Sequence, residues 1–300
     1  MRLQSQFSGT GVALVTPFDK NGNIDWAAME RLIEYVLQDG GVDYIVSLGT
    51  TGEAITLSTA ECKEVFAFTL KQVNGRKPVV AGLFGSNNTA TILDRFKVYN
   101  LEGFGAILSS SPAYNKPSQE GIFQHYLKVA EFSPLPIIIY NVPSRTGSNV
   151  AANTIVRLAH ANEKFIAVKE ASGNLTQCMD IIKYKPEHFM VLSGDDAITL
   201  PMIAAGGQGM ISVIANAYPK SFSTMVRAAI QGDFKTANKL NYALHDIHPW
   251  LYVENNPCGI KAALNVMDLC EKMVRLPLVP QSDANTEGLR LAMEKSGLND

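Results

Sequence analysis

The sequence predicts an α/β protein: a closed (β/α)8 TIM barrel followed by a C-terminal helical extension. Three observations point there. Short, β-branched, apolar runs alternate with longer amphipathic segments. The runs recur about every 20–35 residues, the span of one βα unit, and eight are found. No G-x-G-x-x-G follows the first run and no G-x-x-x-x-G-K-[ST] occurs, which disfavours an open doubly wound sheet with a nucleotide fingerprint.

The first run, VALVTPF (12–18), reads as a strand, and DWAAMERLIEYVLQDG (25–40) as a helix with an acidic start and a glycine stop. YIVSLG (44–49) precedes STAECKEVFAFTLKQVNG (58–75), whose Ser58 and Glu61 form an S-x-x-E capping box. The alternation continues through PVVAGL (78–83), GAILSS (105–110), PIIIYN (136–141), FIAVKE (165–170), MVLSG (190–194) and GMISVI (209–214). These runs are apolar on both faces, as parallel strands covered by helices require. Beyond residue 230 the pattern changes: FKTANKLNYALHDIHPWLYVE, CGIKAALNVMDLC and ANTEGLRLAMEKSG are helical in period and hold no strand-like run. The expected organisation is a catalytic barrel over 1–230 and a three-helix extension over 231–300. No low-complexity linker separates them, so the extension should pack on the barrel.

With 300 residues, 46% of them hydrophobic, the chain can bury a large core as one barrel. Net charge is −2 and the basic residues are scattered, which speaks against nucleic-acid or membrane partners. The N-terminal stretch lacks the pattern of a signal peptide, and no run approaches the roughly 20 apolar residues of a membrane span. Cys62, Cys178, Cys258 and Cys270 form no C-x-x-C, so reduced thiols in a cytoplasmic protein are expected, without disulfides or zinc.

Active sites of such barrels are built at the C-terminal ends of the strands. There the sequence places GTTGE (Gly49, Thr50, Thr51, Gly52, Glu53), SSSPAYNKP with Tyr114, YNVPSRTG with Tyr140 and Arg145, then Lys169, and SGDD with Gly194, Asp195 and Asp196. Strand alternation puts Tyr140 on the face of Ile138 and Lys169 on the face of Ala167, which leaves room for a long side chain. Each residue also has a plainer reading. Lys169 can snorkel to solvent, Tyr140 can be a core aromatic, Thr50 and Thr51 can be turn chemistry, and Arg145 a surface ion pair. Asp195 and Asp196 read as caps of the following helix. His245 and His248 lie three apart with no third ligand nearby, so no metal site is expected.

One rim carrying a lysine, tyrosines, threonines and an arginine supports a definite chemistry. An amine held among apolar side chains has its charged form disfavoured, and the neutral form attacks a ketone to give a Schiff base. The iminium stabilises an adjacent carbanion as an enamine, which adds to an aldehyde without a metal. A tyrosine hydroxyl bonded to a threonine can move the protons. Backbone amides of the Gly49–Gly52 turn can hold a carboxylate, and an arginine can grip a second one bidentately.

The stretches GVALVTPF, GTTGE, SPAYNKPSQEG, YNVPSRTG, VKEASGN, SGDD, GGQGMISV and NPCGIKAAL resemble, in order and spacing, the dihydrodipicolinate synthase/N-acetylneuraminate lyase family. The resemblance implies a (β/α)8 barrel with three C-terminal helices and class I, Schiff-base lyase chemistry on pyruvate. It implies a homotetramer built as a dimer of dimers, and no cofactor beyond the covalent Schiff base between Lys169 and pyruvate. Within the family the chain looks like the members that condense pyruvate with aspartate semialdehyde on the route to lysine and diaminopimelate. The arginine of PSRTG separates these from the alternative, N-acetylneuraminate lyases and keto-deoxy-sugar-acid aldolases. Carried over by position, Lys169 is the Schiff-base lysine and Tyr140 the central proton-transfer group. Thr51 and Tyr114 complete the relay, Tyr114 from a neighbouring subunit. Thr50 and Thr51 hold the pyruvate carboxylate, Arg145 the semialdehyde carboxylate, and Gly194 and Ile211 line the pyruvate pocket. Ala113, Thr59 and Cys62 depart from the tyrosine and histidines of lysine-inhibited relatives, which implies weak or absent inhibition by lysine.

Overall fold

The computed structural model describes residues 6–300. Residues 1–5, the first of the stretch assigned to the barrel, lie outside the described residues. Eight strands, β1 (Gly9–Ala13), β2 (Tyr44–Ser47), β3 (Val79–Ala81), β4 (Ala106–Ser110), β5 (Ile137–Asn141), β6 (Phe165–Glu170), β7 (Met190–Ser193) and β8 (Gly209–Ser212), pair in parallel in chain order, and β8 closes on β1. Around them run α1 (Trp26–Val36), α2 (Thr59–Val73), α3 (Thr89–Val98), α4 (Gln119–Phe132), α5 (Pro143–Thr146), α6 (Ala152–Ala161), α7 (Leu175–Tyr184), α8 (Thr199–Ala204) and α9 (Pro219–Ile230). The chain then continues through α10 (Phe234–His245), α11 (His248–Tyr252), α12 (Cys258–Val266) and α13 (Asp283–Ser296).

The strands separate two apolar layers. Val46, Val80, Leu108, Ile138, Ala167, Leu192 and Ile211 pack inside the barrel. Ile45, Val79, Ile107, Ile139, Val168 and Val191 pack against the helices. This is why the runs read as apolar on both faces. The capping box forms as read: Ser58 Oγ accepts from Glu61 N at 3.2 Å, and Ser58 N donates to Glu61 Oε2 at 2.8 Å.

Three boundaries differ from the sequence reading. The first strand is Gly9–Ala13, not 12–18. Its glycines hide it, yet a Cβ on Gly11 would lie 2.1 Å from the ring of Tyr44, which fills the inside of the barrel there. Beyond Leu14 the chain leaves the ladder: Val15 N bonds Asn216 Oδ1, Thr16 Oγ1 donates to Gly52 O, and Pro17 has no N–H. Helix α1 stops at Val36 rather than running on to Gly40, and Val42 N folds back on Val36 O at 3.0 Å. The first stretch beyond α9 becomes two helices, α10 and α11, because Pro249 cannot continue the ladder of α10.

One irregularity positions the site. Along β5 and β6, Ile137 pairs with Phe165 but Ile138 pairs with Ala167, so Ile166 is an extra residue on β6. Ile166 and Ala167 both face the barrel interior, while Phe165 and Val168 face the helices. The bulge thus turns Lys169 inward; an unbroken alternation from Phe165 would have turned it out.

Candidate active site

At the C-terminal ends of the strands lies a cavity of about 700 Å³, with Thr50, Thr51, Tyr140, Arg145, Lys169 and Gly194 on its wall. Ile211 lies beneath it, fully buried with Tyr140, Ala167 and Leu192. Of the residues that the family resemblance assigns to the site, only Tyr114 is absent from this group. It is 90% exposed, in a left-handed conformation with φ of 66°, on the loop after β4, and its N–H donates to Thr146 O at 3.2 Å.

Lys169 is only 5% exposed, and Nζ lies 4.3 Å from the centroid of the Tyr140 ring. The two residues are register partners across β5 and β6. Gly194 gives the lysine its path: a Cβ there would sit 3.0 Å from Lys169 Cγ, 3.1 Å from its Cε and 2.7 Å from Ala171 Cβ. The snorkelling reading fails, since the stem runs inside the barrel mouth rather than over its surface.

The GTTGE turn is tied from several sides. Gly52 N and Glu53 N donate to Gly49 O and Thr50 O at 3.1 Å each, so those two amides are not free for a carboxylate. Thr51 is buried and its Oγ1 accepts from Asn256 Nδ2 at 3.0 Å, while Thr50 stands exposed on the cavity wall. Glu53, at φ of 54°, sends a buried carboxylate to Lys261 Nζ at 2.5 Å and to Arg275 N at 3.1 Å. Lys261 is fully buried, donates also to Met273 O at 2.8 Å, and sits 4.0 Å from the centroid of Phe18. Burial pushes its ammonium below the ordinary lysine value, and Glu53 pulls it back up.

The extension also reaches the opposite wall. Arg145 Nη2 donates to Asn256 O at 3.3 Å. Tyr252 lines the cavity and donates its hydroxyl to Asp196 Oδ2 at 3.2 Å. Asp195 caps the turn that follows it, accepting from Ala197 N at 3.1 Å, and burial raises its carboxyl. Asp196 is not a helix cap, contrary to the sequence reading. Its buried carboxylate accepts from Ser212 Oγ at 2.7 Å and from the amides of Val213 and Ile214, fixing the loop after β8.

Asn256, Tyr252 and Lys261 are the residues at the site that the sequence reading missed, and it gave Glu53 no partner. Asn256 and Lys261 stand in NPCGIK, but nothing local links an early turn to a late helix.

A second cavity, about 550 Å³, adjoins the first and shares Thr50, Ile55 and Ser110 with it. Thr59, Cys62, Arg95 and Tyr99 line it. Burial pushes the Cys62 thiol up to about 11, and Arg95 is held by the carbonyls of Leu83 and Gly85. All four cysteines are free and buried. Among the described residues, no group of three or more His, Cys, Asp or Glu side chains could hold a metal ion. His248 is buried in α11, where burial lowers its imidazole against the opposing pull of Asp196 and Asp195.

Residues 6–296 match the family model described as the dihydrodipicolinate synthetase family. The chain is 48% identical over 282 residues to a 4-hydroxy-tetrahydrodipicolinate synthase of Parabacteroides distasonis, with 94% of each chain covered. Its fold matches the crystal structure of dihydrodipicolinate synthase from Aquifex aeolicus with a TM-score of 0.92 and 41% identity, covering 97% of this chain and 99% of that one. A chloride-inhibited dihydrodipicolinate synthase of Acinetobacter baumannii, solved in complex with pyruvate, matches with a TM-score of 0.92 at 39% identity and the same coverage.

Proposed function

The chain belongs to the dihydrodipicolinate synthetase family, and from that premise we propose that it condenses pyruvate with L-aspartate 4-semialdehyde to 4-hydroxy-tetrahydrodipicolinate through a Schiff base on Lys169. It is a lyase of lysine and diaminopimelate biosynthesis. The observation that carries the assignment of Lys169 is its placement: a buried amine beside the Tyr140 ring, opening on a cavity lined by threonines and an arginine.

Pyruvate binds with its carboxylate at Thr50 and Thr51 and its ketone over Lys169. The amine of Lys169 adds to the carbonyl carbon, and the carbinolamine loses water to give the iminium. Tyr140 hands over the proton that the departing hydroxyl needs and takes it back when the methyl carbon is deprotonated to the enamine. The enamine carbon attacks the aldehyde of the second substrate, whose carboxylate is held by Arg145, and Tyr140 gives its proton to the new alkoxide and regains one when the product imine forms. The amino group of that substrate then closes on the iminium carbon and releases Lys169 as the free amine. Gly194 and Ile211 shape the pocket floor, and the iminium on Lys169 is the electron sink.

Thr51 and Tyr114 complete the proton path, Tyr114 from a second copy of the chain. The 90% exposure of Tyr114 and the 94% exposure of Ile55 beside the mouth support an assembly that covers them, the tetramer that the family resemblance implies. No described helix is long and apolar enough to cross a membrane, which accords with a cytoplasmic enzyme. Arg145 favours a carboxylate-bearing aldehyde over the polyol of a sialic acid lyase.

Incubation with pyruvate and borohydride tests the reading. The expected product is a reduced adduct on Lys169, located by peptide mass mapping. Lys169→Ala should lose nearly all turnover and Tyr140→Phe much of it. Labelling of another lysine would overturn the site. Cleavage of N-acetylneuraminate without any use of the semialdehyde would establish the alternative.

A further inference from the structure

We infer that Glu170 is a positioning residue, whose carboxylate holds Lys169 in register with Tyr140 from the helix-facing side of the sheet. This rests on the reading of Lys169 as the Schiff-base lysine. Glu170 follows Lys169 at the end of β6, so alternation turns it away from the cavity. It is buried, and its register partner is Asn141, the neighbour of Tyr140. Asn141 Nδ2 donates to Glu170 Oε2 at 2.9 Å, and Gln177 Nε2 from α7 donates to the same oxygen at 3.0 Å. Ser172 N donates to Oε1 at 2.8 Å. Asn141 in turn accepts from Val150 N at 3.0 Å and reaches Asn149 Oδ1 at 2.8 Å. One carboxylate therefore ties together the ends of β5 and β6, helix α7 and the chain just beyond Arg145.

The bulge explains why such a tie is needed. The extra residue Ile166 breaks the β5–β6 ladder below the site, and a bulged pair bends and loses its regular bonds. The pairing of Tyr140 with Lys169 above that break needs a second constraint, and the Glu170–Asn141 bond supplies it one residue further on. An apolar side chain at 170 could fill the space but would leave Ser172 N and one N–H of the buried Asn141 amide without their acceptor, while Gln177 kept only Asn149 and Val150. Glu170 faces away from the cavity, so its influence runs through the placement of the amine against the phenol. A displacement on the order of 1 Å in such a pair lowers rate by about a hundredfold.

Rapid-quench trapping with pyruvate and borohydride reads adduct formation on Lys169 without the second substrate. In wild type the label must fall on Lys169; a label elsewhere defeats the site assignment itself before any variant is made. Glu170→Gln keeps the shape but sets an amide N–H against the donors of Asn141 and Gln177. Trapping and kcat should then fall by about ten- to a hundredfold, with the KM for pyruvate moving less than about threefold. Wild-type trapping in Glu170→Gln overturns the inference. If circular dichroism shows Glu170→Gln unfolded, Gln177→Met carries the test, because it removes a donor to the carboxylate, along with that side chain's bonds to Asn149 and Val150, without touching either strand. Slower trapping at an unchanged melting temperature supports the inference, and an unchanged rate overturns it.

Discussion

Lys169 and Tyr140 are partners across β5 and β6, and they are partners because Ile166 is an extra residue in β6. The bulge turns the lysine stem inward, and the phenol ring then stands 4.3 Å from its amine. Amine and phenol are thus fixed by backbone register rather than by loops, which suits the proposed reaction, whose steps need both groups within about 3 Å of one carbon.

Gly194→Ala should disable the lysine without unfolding the barrel. The new methyl would press on Cγ and Cε of Lys169 and on Ala171 Cβ. Overpacking of this kind destabilises by about 1–3 kcal/mol, whereas the shifted amine should lower kcat by about a hundredfold. Denaturant titration alongside steady-state kinetics checks both parts, and a variant with normal kcat would remove the proposed role of the glycine.

Lys261→Met should destabilise the protein by about 3–5 kcal/mol, because it strands the buried carboxylate of Glu53. The double variant Glu53→Gln/Lys261→Met leaves no stranded charge and should recover part of that loss. It should still show a raised KM for pyruvate, since the GTTGE turn has lost its tether. Equal recovery of stability and KM would mean that the pair serves folding alone.

Acid should loosen the extension in a defined window. Arg275, by its hydrogen bonds, holds the Glu61 carboxyl at about 2, below its ordinary 4.5. A lowered carboxyl favours the folded state fully above pH 4.5, and that contribution fades as pH falls from 4.5 toward 2. Arg275→Met should be less stable than wild type at pH 7, and the gap should narrow as pH falls to 2, leaving the part owed to the bonds with Gly22 O and Thr56 O, as followed by urea midpoints. A gap that stays constant across this range contradicts the link.

Subunits carrying Lys169→Ala and Tyr114→Phe should complement each other. Each alone should be nearly inactive. After mixing and subunit exchange, a mixed pair holds one site with both wild-type groups, so about a quarter of normal activity per subunit is the ceiling if sites act independently. Sedimentation confirms the mixed assembly, and no recovery in a confirmed mixture excludes a shared site.

Free lysine should leave the rate unchanged at millimolar concentration in a coupled assay. The second cavity offers Thr59 and a protonated Cys62 thiol, and its arginine is already held by two carbonyls. Such a lining gives a carboxylate few partners and an ammonium one charged partner, Asp94. Half-inhibition at or below about 1 mM would contradict it.

The fold was legible because both-face apolar runs and helical periods are local signals, and seven of the eight strands fall where those runs do. Strand β1 was misplaced because Gly9 and Gly11 carry no strand signal; only Asp43 and the ring of Tyr44, distant in sequence, explain them. Lys169, Tyr140, Arg145 and the two threonines could be found since barrels gather strand ends on one rim. The bulge at Ile166 was invisible, as it is a property of two strands together. Asn256 and Lys261 were missed for the same reason: their partners lie far away in the chain, and a helical period says nothing of what it packs upon. Asp196 was read as a cap from local spacing, whereas the amides after β8 claim its carboxylate.

The bonds from Asn256 to Thr51 and from Lys261 to Glu53 join residues 205 and 208 positions apart. A ribosome adding roughly 5–20 residues per second takes about 10 to 40 seconds to travel that distance. For the last part of that time the nascent chain has its lysine strand but not the side chains that tether the GTTGE turn. The enzyme is therefore completed at the end of translation, and chains released before about residue 262 should emerge catalytically silent even where their barrel has closed.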